Sequence, residues 1–83
     1  MAMVVKVQWE SGKPVSGAKV CAWVNGEGND DIYTDENGEA HFLYGPGKGT
    51  IYVGGEKIRS ERYLSSRETI YRKQTGLFST SYY

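Results

Sequence analysis

Residues Thr34 to Gly55 read TDENGEAHFLYGPGKGTIYVGG, and two turn signals divide this stretch into short alternating segments. The first is Asp35-Glu36-Asn37-Gly38. Asn-Gly is favoured where a hairpin turn needs positive φ at both central positions, because these residues reach it at little cost. The second is Gly45-Pro46-Gly47-Lys48-Gly49. Between the turns, Ala40, Phe42 and Tyr44 fall on one face, with His41 and Leu43 on the other; beyond them, Ile51 and Val53 oppose Tyr52. A period of two marks half-buried β-strands over Glu39–Tyr44 and Thr50–Val53. The stretch therefore predicts a meander with which the flanking strands pair.

Working outward, Val4–Trp9 alternates Val5, Val7 and Trp9 against Val4, Lys6 and Gln8. After the Glu10–Pro14 turn, Ala18–Val24 sets Ala18, Val20, Ala22 and Val24 inward and Lys19, Cys21 and Trp23 outward. A Gly-containing loop (Asn25–Asp30) precedes a short strand over Asp31–Thr34. Gly54-Gly55 turns the chain into Lys57–Leu64, and Ser65-Ser66 separates that segment from Arg67–Lys73. Seven short strands with Gly-rich punctuation and no helical period indicate an all-β sandwich. Residues 1–73 make the sandwich and 74–83 a C-terminal tail. Within the tail, Phe78, Thr80 and Tyr82 alternate again, which leaves two expectations: an eighth strand that pairs with its own sheet or with a second copy, or a frayed terminus.

Composition agrees. The chain has 83 residues, enough for one domain that buries roughly 60% of its unfolded surface. Seven Tyr and two Trp suit a pleated, half-buried surface. Ten basic and ten acidic residues cancel, so net charge offers no drive toward nucleic acid or an anionic membrane. The charges are unevenly placed: four basic and seven acidic through Gly55, six basic and three acidic after it. Such a dipolar chain suits contact with a partner, or with a copy of itself, through complementary ends. A single cysteine, Cys21, rules out an intramolecular disulfide. No apolar run approaches the roughly 18 residues of a membrane-spanning helix, and residues Met1–Val7 lack the pattern of a signal peptide. Localisation stays open, with a surface or secreted setting expected only as part of a longer protein.

Two motifs carry a family resemblance. Gly12-Lys-Pro-Val-Ser-Gly-Ala-Lys-Val20 resembles the G-x-P-[VIL]-x-G-A-x-V opening of carboxypeptidase-regulatory-like domains. Thr34-Asp-Glu-Asn-Gly-Glu-Ala-His-Phe42 resembles their T-D-x-x-G-x-[AFY]-x-F turn and strand. The resemblance covers about Val4 to Leu64. It implies the seven-stranded Greek-key sandwich of the transthyretin-like (prealbumin-like, immunoglobulin-like) group, and an accessory or interaction module in place of an enzyme.

Catalytic patterns fail on residue grounds. Gly45–Thr50 lacks the Gly spacing and the Lys-[Ser/Thr] pair of a phosphate loop, and no helix follows it. Asp30, Asp31, Asp35, Glu36, Asn37 and Glu39 offer oxygen atoms but not the spacing of a calcium loop, and turn chemistry already accounts for Asp35 and Asn37. His41 is the single histidine, so no multi-histidine metal site can form. The expectation is no catalytic residue, no metal and no cofactor. Outward aromatic residues are the candidate binding set: Trp23, Tyr52, Tyr71, Phe78 and Tyr82. Aromatic side chains give large rigid contact area with a polar handle. They point to a protein partner or self-association, with carbohydrate stacking as the alternative, and to neither nucleic acid nor membrane.

Overall fold

Alternating apolar residues give eight strands in the computed structural model, which describes residues 3–28, 31–75 and 79–82, with side chains as far as Arg72. They are β1 (Met3–Trp9), β2 (Lys19–Val24), β3 (Asp31–Tyr33), β4 (Glu39–Phe42), β5 (Gly47–Val53), β6 (Glu56–Leu64), β7 (Arg67–Thr75) and β8 (Ser79–Tyr82). Two four-stranded sheets result, ordered β4-β1-β7-β8 and β3-β2-β5-β6. β1 runs parallel to β7, and the other strand pairs are antiparallel. The tail supplies β8, which pairs with β7 of its own chain from Arg72↔Tyr82 to Thr75↔Ser79. Gly76, which follows β7 in the tail, lies outside the described residues.

The expected meander does not form. β3 belongs to one sheet, β4 to the other, and β5 returns to the first, so both turns of the Thr34–Gly55 stretch carry the chain between sheets. Gly38 alone in the first turn has positive φ, at 79°. A two-residue hairpin turn of type I′ needs two such positions. Instead the Asp35 carboxylate accepts the N–H groups of Asn37 (2.8 Å) and Glu39 (3.0 Å), and the Gly38 N–H reaches the Asp35 carbonyl (2.9 Å). The second turn is also shorter than expected, because Gly47, Lys48 and Gly49 already pair with β6. Gly54-Gly55 does close a hairpin, between β5 and β6.

Thr34 explains why the chain leaves its sheet after β3. It is the one buried polar residue among those described, at 4% exposure. Its hydroxyl donates to the Val15 carbonyl (2.6 Å) and accepts the Ala18 N–H (2.8 Å). Its backbone N–H donates to the Ala18 carbonyl and its carbonyl accepts the Gly17 N–H, both at 2.9 Å. One residue thus satisfies four backbone groups of the Val15–Ala18 segment, three of them on buried Val15 and Ala18. Gly38 completes the joint: its carbonyl accepts the Val7 N–H (2.8 Å), and a Cβ there would stand 2.5 Å from the Val7 oxygen and 3.0 Å from the Pro14 Cβ. The two motifs of the family resemblance therefore meet in space.

One core lies between the inner rows of the sheets. Val5 and Val7 of β1, Val20, Ala22 and Val24 of β2, Phe42 of β4, and Ile51 and Val53 of β5 are buried as the alternation requires. Met3, Leu64 and Ile70 extend the rows. Trp9, expected inside, is half-buried at the rim, where the Arg72 guanidinium lies 5.3 Å from its ring centroid. Tyr44 is also half-buried; it meets Phe42 edge-on (5.6 Å between centroids) and donates its hydroxyl to the Ala22 carbonyl (2.9 Å), tying the sheets together.

Candidate interaction surface

Residues directly opposite one another in an antiparallel pair share a sheet face. On β3-β2-β5-β6 the outer face therefore follows from register. Tyr33 stands opposite Lys19, Tyr52 opposite both Cys21 and Lys57, Tyr63 opposite Lys48, and Trp23 opposite Thr50. Trp23 and Tyr52 are thus diagonal neighbours, roughly 7–8 Å apart at the backbone, within reach of aromatic side chains. Trp23 is 42% exposed, Tyr33 62% and Tyr63 68%, whereas Tyr52 is half-buried among them. Each tyrosine on this face has an exposed lysine directly across from it: Lys19, Lys48 or Lys57. The loop after β2 closes on Trp23 at Gly28, where a Cβ would meet the Ala22 oxygen at 2.5 Å and the indole at 3.0 Å.

Of the five aromatic candidates, the fold brings Trp23 and Tyr52 together. Tyr71 is exposed but pairs with Gln8 on the outer face of the other sheet, across the core from them. Tyr82 falls in β8, described by its backbone, and Phe78 lies outside the described residues. Sequence reading missed Tyr33 and Tyr63. Each was assigned to a strand but to no face, and the register that places them beside Lys19 and Lys48 is a long-range property.

The free edges of this sheet offer little to a pairing strand. β3 is three residues long, and β6 carries two register irregularities, with Glu61 at a φ of 44° and charged side chains along its length. Short, bulged and charged edges resist strand addition.

A polar group gathers on the outer face of the other sheet. Glu39 and His41 are two residues apart on β4 and share a face, and Asp35 reaches the same place from the preceding turn. His41 Nε2 lies 3.3 Å from Glu39 Oε1 and 3.8 Å from Asp35 Oδ2. The second oxygen of each carboxylate is already engaged, Asp35 Oδ1 by the turn amides and Glu39 Oε2 by Arg67 at 2.9 Å. The Glu39 N–H above all, then that of Asn37 and the nearby imidazole, holds the Asp35 carboxyl below its ordinary value of 3.8, against partial desolvation. Of the other oxygen-bearing residues considered from sequence, Asp31 sits on β3 in the opposite sheet, Glu36 and Asn37 are exposed in the turn, and Asp30 lies outside the described residues.

A cleft of about 590 Å³ opens at the rim of the core, lined by Trp9, Glu10, Ser11, Lys13 and Arg72. Comparison with protein-family models, curated proteins and solved structures finds no match to this chain.

Proposed function

We propose that the chain is a non-catalytic protein-interaction module, a Greek-key prealbumin-like sandwich of the carboxypeptidase-regulatory-like kind that docks through the outer face of β3-β2-β5-β6. The fold assignment is supported by strand order: β4 lies beside β1 and β5 beside β2, neither beside the strand that precedes it in the chain. It is also supported by the contact of the two motifs at Thr34 and Gly38.

The observation that carries the functional reading is the aromatic–lysine face. Trp23 and three tyrosines supply rigid apolar area, with Lys19, Lys48 and Lys57 across from the tyrosines and Asp31, opposite Cys21, as a carboxylate on the same face. Such a face suits a protein partner with an acidic rim, because charge complementarity fixes register while the aromatic centre supplies affinity. A second copy of the chain is one such partner. Carbohydrate stacking on Trp23 and Tyr52 is the weaker reading, because carboxylates and amides, the usual sugar partners, are outnumbered on this face by lysines.

Partner capture from native extract with the full chain tests the proposal, comparing Trp23→Ala/Tyr63→Ala with Tyr71→Ala. A partner lost from the double variant and kept by Tyr71→Ala supports the face. Identical partners for all three proteins contradict it.

A further inference from the structure

We propose that Asp35, Glu39 and His41 form a divalent transition-metal site, with zinc as the fitting ion. Their donor atoms, Asp35 Oδ2, Glu39 Oε1 and His41 Nε2, lie within 4.8 Å of one another. Metal–ligand bonds of about 2.0–2.2 Å place tetrahedral ligands roughly 3.4 Å apart. The two distances to Nε2, 3.3 and 3.8 Å, are close to that spacing.

The arrangement around the carboxylates is what separates this group from a chance surface ion pair. Each carboxylate has one oxygen fixed by the fold and the other turned toward the imidazole. The turn amides of Asn37 and Glu39 fix Asp35, and Arg67, reaching from β7, fixes Glu39. Outer partners of this kind orient ligands and raise metal affinity. An imidazole nitrogen with two carboxylate oxygens suits zinc better than calcium or magnesium, which take six or more oxygen ligands. Binding uses the Nε2 lone pair, so the ring carries its hydrogen on Nδ1 and acid competes with the metal. Solvent completes the coordination shell, because His41 and Asp35 are exposed. The contribution is local: a bound ion would clamp the β3–β4 crossover to the strand that follows it.

The test is a calorimetric titration of the tag-free full chain with zinc chloride, alongside ¹H–¹⁵N spectra of the His41 ring. One saturable equivalent, with a large shift at His41 Nε2, is expected. Asp35→Asn keeps the Oδ1 acceptor of the turn and loses a ligand, and His41→Gln loses the nitrogen. Each should weaken binding about tenfold or more. Cys21→Ser, on the opposite sheet, should leave binding unchanged, and excess magnesium should not displace zinc. Absence of saturable binding, an affinity unchanged in both ligand variants, or loss of binding in Cys21→Ser would overturn the proposal.

Discussion

Thr34→Val removes one hydroxyl while keeping shape and volume, so it isolates the hydrogen bonds that fasten the β3–β4 crossover. In the native chain that hydroxyl satisfies the Ala18 N–H and the Val15 carbonyl in a site where Thr34 is 4% exposed. Valine leaves both groups buried without partners, at about 1–3 kcal/mol each, so the loss should be about 2–6 kcal/mol. A chain of 83 residues has roughly 4–12 kcal/mol of total stability. At ~4–8 °C per kcal/mol the variant should melt roughly 8–48 °C lower, and be barely folded if the chain sits at the low end of that stability range. Thr34→Ser keeps the hydroxyl and loses a methyl group, for about 1 kcal/mol. Urea unfolding followed by tryptophan fluorescence measures both. Valine and serine variants of equal stability would refute the reasoning, since hydroxyl and methyl would then matter alike.

Three further outcomes follow from the same joint and the core beside it. Gly38→Ala should cost about 2–3 kcal/mol, from a left-handed backbone and a Cβ 2.5 Å from the Val7 oxygen; a loss under about 0.5 kcal/mol in urea unfolding would contradict it. Phe42→Ala should cost about 3–5 kcal/mol, because Phe42 is the largest fully buried side chain among those described; a melting temperature within a few degrees of the parent chain would contradict that. The Asp35 carboxyl is depressed in the folded state, so its stabilisation is present above the ordinary value of 3.8 and fades as pH falls through the folded value. Asp35→Asn should flatten that part of the acid limb, and an unchanged limb would argue against the turn as described.

Much of the architecture was legible because alternation is local. The inward set Val5, Val7, Val20, Ala22, Phe42, Ile51 and Val53 is buried as read, since a period of two fixes a face once a strand is located. Strand partnership was not legible. Asp35–Gly38 reads as a hairpin because Asn-Gly chemistry reports that the chain reverses, not whether the strands on either side share a sheet. That choice is made by Thr34, whose hydroxyl bonds to residues 16 and 19 positions earlier. The same limit hid the proposed docking face. Trp23 and Tyr52 were visible as outward residues, but their adjacency, and the pairing of Tyr33 and Tyr63 with lysines, depends on register between β3, β2, β5 and β6. His41 was read as a lone surface residue because Asp35 and Glu39 converge on it only once the crossover turn is closed.

Site-specific photocrosslinking tests the docking face most directly. A benzophenone amino acid placed at Tyr63 sits beside Lys48 on the outer face of β3-β2-β5-β6, and one at Tyr71 sits on the outer face of the opposite sheet. Both positions are exposed, so both variants should fold, and each probes one surface of the same chain. The account predicts a discrete adduct to a protein partner, or to a second copy, from position 63 and none from position 71. Adducts from position 71 alone, or the same adducts from both, would contradict it.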